Sequence, residues 1–366
     1  MASLASWTLV RANREQTIES RKRNFHEWNR GLNIDQYLKL HDDLDIYEHA
    51  ADAKLNTWVL VDRNDPSSLN YLCACETYRR TGLVATSGGV KEVTAYAVAS
   101  VYTPVVNRKQ GYARQMLRLL HHVIGIKGGL PEFPAEWGSP PSSEGFGDGK
   151  FSILYSDVGP KFYTTCGPTP SAPGWIVQNP YEVVWTLEGH TDGDQSRVKL
   201  LKDTDLEDVL AKDAALIKKE MVGATGPCVS FTANNGVNNY LVQRSIFRTV
   251  LTNGRRADAW GAVLPEHERQ PFSFLTWTPD PLDFTITRLR ADPESLPVLI
   301  AAAKKIAAER KAVEIVAWAV PEGLQEACKV LGGVQRTRTN HLPSVHVYDA
   351  DGEKFEWIHN EKFSWC

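Results

Sequence analysis

The chain has 366 residues, of which 42 % are hydrophobic and 23 % charged, with a formal net charge of −3. This length fits two domains, and this composition can bury full cores, so a disordered chain is excluded. The charge lacks the basic excess of a nucleic-acid binder, and no apolar run approaches the roughly 20 residues of a membrane span.

Residues 6–12 read as a short strand, and 20–47 as two polar helices broken near Gly31-Leu32-Asn33. Residues 57–63 (TWVLVDR) form a strand and Asn64-Asp65-Pro66 a turn. Residues 69–78 (LNYLCACETY) form a second strand, with Cys73 and Cys75 on one face. A strand over 93–104 leads into a cationic turn and a helix over 112–126. The stretch 128–149 is dense in Gly, Pro and Ser, and segments of that length without structure of their own often serve as a flap or lid. A strand follows at 151–155, then a short helix at 160–166 opened by Pro160 and closed by Gly167, then one or two strands in 176–187. The polar segment 188–196 (EGHTDGDQS) reads as a linker and places a domain boundary.

The second half predicts helices at 205–221 and 237–247, and adjacent strands at 259–264 and 273–278. An alternating strand at 284–290 (FTITRLR) precedes an Ala-rich helix at 297–311. A strand at 313–320, a helix at 321–331 ended by Gly332-Gly333, and strands at 344–348 and 354–359 close the chain. The halves share one element order, which reads as a duplicated fold: 1–190, and 196–366. Arg290-Ala291-Asp292-Pro293 stands where the second copy would carry the cationic turn, and Pro293 and Pro297 offer no N–H there.

Six cysteines, at 73, 75, 166, 228, 328 and 366, include no C-x-x-C and no Cys/His pair of zinc spacing. The sequence therefore gives no sign of a metal. Free thiols suit a reducing compartment, and MASLASWTLVRANREQ has no apolar core of signal-peptide length, so a soluble cytoplasmic protein is expected.

The chemistry concentrates in 95–120, AYAVASVYTPVVNRKQGYARQMLRLL. A buried strand, a turn of Arg108, Lys109, Gln110, Gly111, Tyr112 and Ala113, and a helix starting there make an anion-binding device. Unpaired N–H groups and the dipole at the helix start favour a phosphate, and Gly111 and Ala113 let the backbone approach it. The plain alternative is an ordinary strand-to-helix turn. Neither GxxxxGK[ST] nor a strand-borne GxGxxG is present.

R-x-x-G-x-A at 108–113 resembles the pyrophosphate motif of the GNAT acyltransferases, and LYSDVGPKFY at 154–163 with Gly167 resembles their next element. Together these motifs are similar to those of the fungal L-lysine acetyltransferases, in an arrangement resembling N-myristoyltransferases. The resemblance implies an α/β (α+β) fold of two GNAT-like domains, with mixed twisted sheets flanked by helices. The N-terminal copy (1–190) would bind acetyl-CoA; the degenerate copy (196–366) would contribute to the substrate pocket. It further implies transfer of acetyl to the ε-amine of free L-lysine by direct attack. The main-chain groups of Val101, Tyr102 and Thr103 would pair with the pantetheine arm, and Tyr163 would protonate the departing thiolate. The alternative for Tyr163 is core packing beside Phe162.

An amine of pKa about 10.4 costs roughly 4.6 kcal/mol to deprotonate at pH 7, so the site needs a base. Glu76, Asp157 and the carboxylate of Cys366 are the candidates, each also readable as a surface carboxylate or turn cap. The tail Phe363-Ser364-Trp365-Cys366 is apolar to its end, which suggests docking in the interior. Arg79, Arg288 and Arg290 are possible clamps for an α-carboxylate, and His341, His346 and His359 are weaker candidates. Acylation of another small amine or of a peptide amine, and a CoA-binding scaffold without turnover, are the competing readings. The sequence is silent on oligomeric state.

Overall fold

The computed structural model describes residues 4–187, 197–266, 271–280, 282–348 and 354–366. The linker expected at 188–196 lies outside them. The first half carries β1 (Trp7–Arg11), α1 (Arg14–Trp28), α2 (Ile34–Leu44), β2 (Leu55–Asp62), β3 (Ala74–Thr86) and β4 (Gly89–Tyr102). It continues with α3 (Tyr112–Ile124), β5 (Gly149–Ser156), β6 (Ile176–Val177) and β7 (Tyr181–Thr186). The second half opens with β8 (Lys199–Leu201), α4 (Leu206–Val222), β9 (Cys228–Phe231), α5 (Asn239–Asn253), β10 (Gly261–Val263) and β11 (Phe274–Asp280). It closes with β12 (Asp283–Arg290), α6 (Leu296–Glu309), β13 (Glu314–Trp318), α7 (Gln325–Val330), β14 (Val334–Thr337), β15 (Leu342–Val347) and β16 (Glu356–Trp357).

Two mixed sheets flanked by helices result, as expected for the fold class. The first runs β1-β2-β3-β4-β5-β15-β6, and the second β14-β7-β13-β12-β11-β10-β8. They exchange strands. β15 pairs antiparallel with β5 from Leu342↔Ser156 to Val347↔Phe151, while β7 enters the second sheet between β13 and β14. A hydrogen-bond chain fastens β15 in place: Trp175 Nε1–H donates to Ser152 Oγ at 2.9 Å, Ser152 lies 2.9 Å from the Tyr348 hydroxyl, and that hydroxyl lies 3.2 Å from His121 Nδ1.

The helices form for local reasons. Asn13 and Asn33 open α1 and α2, each accepting the N–H three residues on and receiving a glutamine side chain in return. α3 buries Met116, Leu117, Leu119, Leu120, Val123 and Ile124 completely, against Trp58, Tyr96 and Leu154. At about 1.5–3 kcal/mol for each large apolar side chain, this face anchors α3 to the sheet. On the other face of the sheet, Tyr78, Phe151 and Phe231 pack with Trp357 and Phe363 of the C-terminal segment.

The second copy repeats the β4-α3-β5 unit as β12-α6-β13, with parallel pairing at Thr285↔Val316 and Ile286↔Ala317. Its helix start is filled from within: Asp292 Oδ1 accepts the N–H groups of Glu294 and Ser295 at 2.9 and 2.7 Å. The free edge of β12 is also taken, because the Leu289 N–H donates to Glu361 Oε1 at 2.9 Å.

Several elements differ from the sequence reading. The strand expected at 69–78 begins at Ala74 and runs to Thr86, where a turn at Ser87-Gly88 returns the chain into β4. The helix expected at 160–166 is a single 3-10 turn, Tyr163–Thr165. Gly174 and Trp175 fold back and donate to the carbonyls of Thr164 and Tyr163, taking the place of helical partners. The stretch 128–149 is packed rather than lid-like: Phe146 meets Trp58 at 4.9 Å, and Arg63 holds the carbonyls of Trp137 and Ser139. β8, β9 and β14 are short strands the sequence did not announce.

Candidate active site

β4 and β5 pair in parallel from Thr94↔Gly149 to Ala97↔Ile153 and then part, although β4 continues to Tyr102 and β5 to Ser156. A bulge forces the parting. Between Ala99 and Tyr102, β4 carries one residue more than β3, and Ser100 adopts φ +51°. The wedge so opened exposes main-chain groups of Val101, Tyr102 and Thr103, which are half-buried.

Pro104 ends the strand, a 3-10 turn covers Val105–Asn107, and the chain turns through Lys109 (φ +63°) and Gly111 (φ +86°) into α3. A Cβ on Gly111 would meet nothing within 4 Å, so its backbone angle and not crowding calls for glycine. Arg108 donates through Nε to the Thr103 carbonyl at 2.9 Å and through Nη2 to Glu27 at 2.8 Å. Gln110 donates to the Val106 carbonyl at 3.2 Å and accepts from the Tyr112 hydroxyl at 3.1 Å. Residues 108–113 thus form one exposed, cationic cap over the N-terminus of α3, a setting that suits an anion.

Glu76 lies on β3 opposite Ala99 and is 4 % exposed. Its Oε2 accepts the Ser100 hydroxyl at 2.7 Å. Burial raises its pKa, and the nearby Arg21 guanidinium opposes that rise. Tyr78 and Arg80 follow on the same face of β3, and Arg80 Nη1 donates to the Ser364 carbonyl at 2.7 Å. The tail is docked as its composition suggested: Phe363 and Ser364 are fully buried, and the Trp365 ring meets Tyr240 at 6.0 Å and His341 at 5.7 Å. The Cys366 thiol is pushed up to about 11 by burial, with Arg80 opposing and Glu76 adding to the rise, so the side chain of this half-buried last residue feels Glu76.

Asp157 sits apart from that pair. Its Oδ1 accepts the His341 N–H at 2.8 Å and lies 3.0 Å from the ring Nδ1 of the same residue. Burial would raise the Asp157 carboxyl, but His341 holds it below its usual value. Tyr163 is buried on the α3 face, in the core that contains Cys75, Met116 and Leu154. Burial first, then the neighbouring Cys166 and Asp157, raise its phenol.

The three clamp candidates are engaged within the chain. Arg79 points outward to Asp148. Arg288 is held by Asp213 and Glu361, and Arg290 by Asp213 and Glu220. His346 and His121 lie ring to ring at 4.4 Å in the core, and His359 is within 3.4 Å of Arg288, which points to structural roles. The sequence reading missed Arg80, which strand alternation from Glu76 would have placed on the inner face. It also missed Arg338 and Lys362, for which no periodicity gave a signal.

A cavity of about 630 Å³ adjoins this region, with Arg338, Trp318 and Lys362 in its wall. Lys362 is 3 % exposed, with Nζ 4.3 Å from the Trp318 ring centre and 4.6 Å from that of Trp365, and 3.7 Å from Asp283. Burial lowers its pKa to about 8 against the pull of Asp283.

Residues 182–366, just over half of the chain, match the family described as LYC1 GNAT-like C-terminal domain. The chain belongs to that family. As a GNAT chain it is an acyltransferase, and the GNAT fold accounts for both the β4–β5 wedge and the repeated β-α-β unit. A solved structure from Enterococcus faecalis, titled as a conserved protein of unknown function and probable N-acyltransferase, has the same fold (TM-score 0.55, 9 % identity, 94 % of this chain and 72 % of that one). A GCN5-related N-acetyltransferase from Kribbella flavida aligns at TM-score 0.48 and 12 % identity, over 94 % of this chain and 72 % of its own. No curated protein matches the sequence. Among the described residues, no helix of this GNAT chain is long and apolar enough to cross a membrane.

Proposed function

We propose that the chain transfers the acetyl group of acetyl-CoA to the ε-amino group of free L-lysine, by direct attack of the amine in a ternary complex. The observation that carries the acetyl-CoA reading is the wedge between β4 and β5 beside the glycine-opened start of α3. The pyrophosphate would rest on the N–H groups at Gly111, Tyr112 and Ala113, flanked by Arg108 and Lys109. The pantetheine amides would pair with the open edge at Val101–Thr103, bringing the thioester to the mouth of the wedge. The choice of lysine rests on the resemblance of 95–120 and 154–163 to the fungal lysine acetyltransferases. The division of labour proposed is a catalytic copy in 1–190 and a supporting copy in 196–366.

In this mechanism Glu76, or the Cys366 carboxylate, takes the proton from the acceptor ammonium. A buried carboxyl of raised pKa is better matched to that task than Asp157, whose pKa is held low by its contact with His341. A main-chain N–H near Tyr102 or Thr103 would steady the oxyanion, and Tyr163 would return a proton to the leaving thiolate. Tyr163 holds its proton at neutral pH as any phenol does, and burial, which raises its pKa further, makes it a weaker acid until the charge of the departing thiolate develops beside it.

The test is thiol release from acetyl-CoA at pH 8 with L-lysine, other amino acids and lysine peptides as acceptors, with fragmentation of the product. Turnover yielding ε-N-acetyl-lysine is expected. Turnover only with peptides would replace the acceptor, and no turnover together with no acetyl-CoA binding would overturn the proposal.

A further inference from the structure

The wall of the cavity beside the tail carries a buried cation that makes no ion pair among the described residues. Arg338 is 4 % exposed and stacks 4.1 Å over the Trp318 ring. One nitrogen, Nη1, donates to the His341 carbonyl at 2.9 Å. The other two, Nε and Nη2, have no hydrogen-bond partner among the described residues. Those two share one edge of the planar group, the edge that takes both oxygens of a carboxylate. In the same wall Arg336 donates to Glu182 at 2.6 Å, and Lys362 faces Asp283. Burial lowers the Arg338 pKa to about 10, against the opposing pull of Tyr155 and Glu182.

Neither splayed strand lines the cavity, but each is linked to a lining residue. On the β4 side, Trp28 packs on Tyr102 at 6.1 Å, and Arg30, two residues on, lines the cavity. On the β5 side, Asp157 follows the strand directly and binds His341, another lining residue.

We propose that Arg338 anchors the carboxylate of the acceptor molecule in this cavity, through its Nε–Nη2 edge, so that the enzyme selects amines that also bear a carboxylate. The proposal rests on the acetyltransferase reading for the word acceptor, but the site itself can be tested without turnover.

The experiment is calorimetric titration of the full chain with L-lysine, 6-aminohexanoate, which lacks the α-amine, and cadaverine, which lacks the carboxylate. The wild type is expected to bind the two carboxylates at least about tenfold more tightly than cadaverine. Equal affinity for 6-aminohexanoate and cadaverine would overturn the site without any variant. Arg338→Lys keeps the charge and loses the edge, so it should weaken both carboxylate ligands about tenfold and leave cadaverine unchanged. An unchanged lysine KM in a folded Arg338→Lys enzyme would discard the anchor and leave the acetyltransferase reading standing. Carboxylate binding lost in the variant, with no acetyl transfer to any amine, would keep the site and discard that reading.

Discussion

The Ser100 hydroxyl donates to Glu76 Oε2 at 2.7 Å from a residue held at φ +51°. The bulge that parts β4 from β5 therefore also supplies the hydrogen bond that fixes the proposed base, and the wedge and the carboxylate share one cause in the backbone.

Glu76→Gln should lower kcat roughly a hundredfold and leave the acetyl-CoA KM within twofold. Burial raises the Glu76 pKa, so the wild-type rate should climb with pH through a limb above the ordinary carboxylate range. Thiol release followed from pH 5 to 9 should show that limb in the wild type and not in the variant.

Gly111→Ala places a Cβ in open space but at φ +86°, so its cost is backbone strain of about 1 kcal/mol. The acetyl-CoA KM should rise about fivefold or more while the acceptor KM moves little, and Arg108→Ala should shift the same parameter. Equal changes in both KM values would remove the phosphate role of this turn.

Cys366 can be tested as a side chain and as a chain end separately. Cys366→Ala keeps the terminal carboxylate and should retain activity. Deleting Cys366 draws that carboxylate back by about 3.5 Å and should abolish turnover with little loss in melting temperature. Full activity after the deletion would rule out the carboxylate as base.

Tyr163→Phe should reduce kcat about tenfold or more with unchanged acetyl-CoA binding. The residue is buried on the α3 face, so a melting curve must accompany the assay. Unchanged turnover would make Tyr163 a packing residue.

Stability should fall in acid before the carboxylates titrate. Burial holds His121 well below the usual histidine range and His346 at about 4, whereas both titrate near 6.5 once unfolded. Between those values the unfolded chain binds more protons, so stability drops as pH falls from about 6.5 toward 4, and this histidine contribution is flat above about 7.5. Melting temperatures from pH 8 to 4.5 should show this slope, reduced in His346→Asn.

The parts of this site that depend on local order were legible in the sequence. Gly111 ahead of an amphipathic helix announced the turn, and LYSDVGPKFY announced the strand that parts from β4. What could not be read depends on distant chain. Glu76 was chosen for its place at the end of a strand, but its partners Arg21 and Ser100 are set by pairing between elements. Arg80 does not stand out in the sequence, because the reach of β3 to Thr86 is hidden there, and with it the alternation that turns Arg80 inward. Arg288 looked like a free cation, and only the fold brings Asp213 and Glu361 to it.

The exchange of β7 and β15 has a consequence for how the chain is made. β5 leaves the ribosome about 190 residues before the strand that will cover its outer edge. At about 5–20 residues per second that edge waits roughly ten to forty seconds, open to pairing with any neighbouring chain. Biogenesis, more than the finished molecule, is therefore where this protein is most exposed to aggregation, and a chaperone that shields β5 should raise the yield of active enzyme.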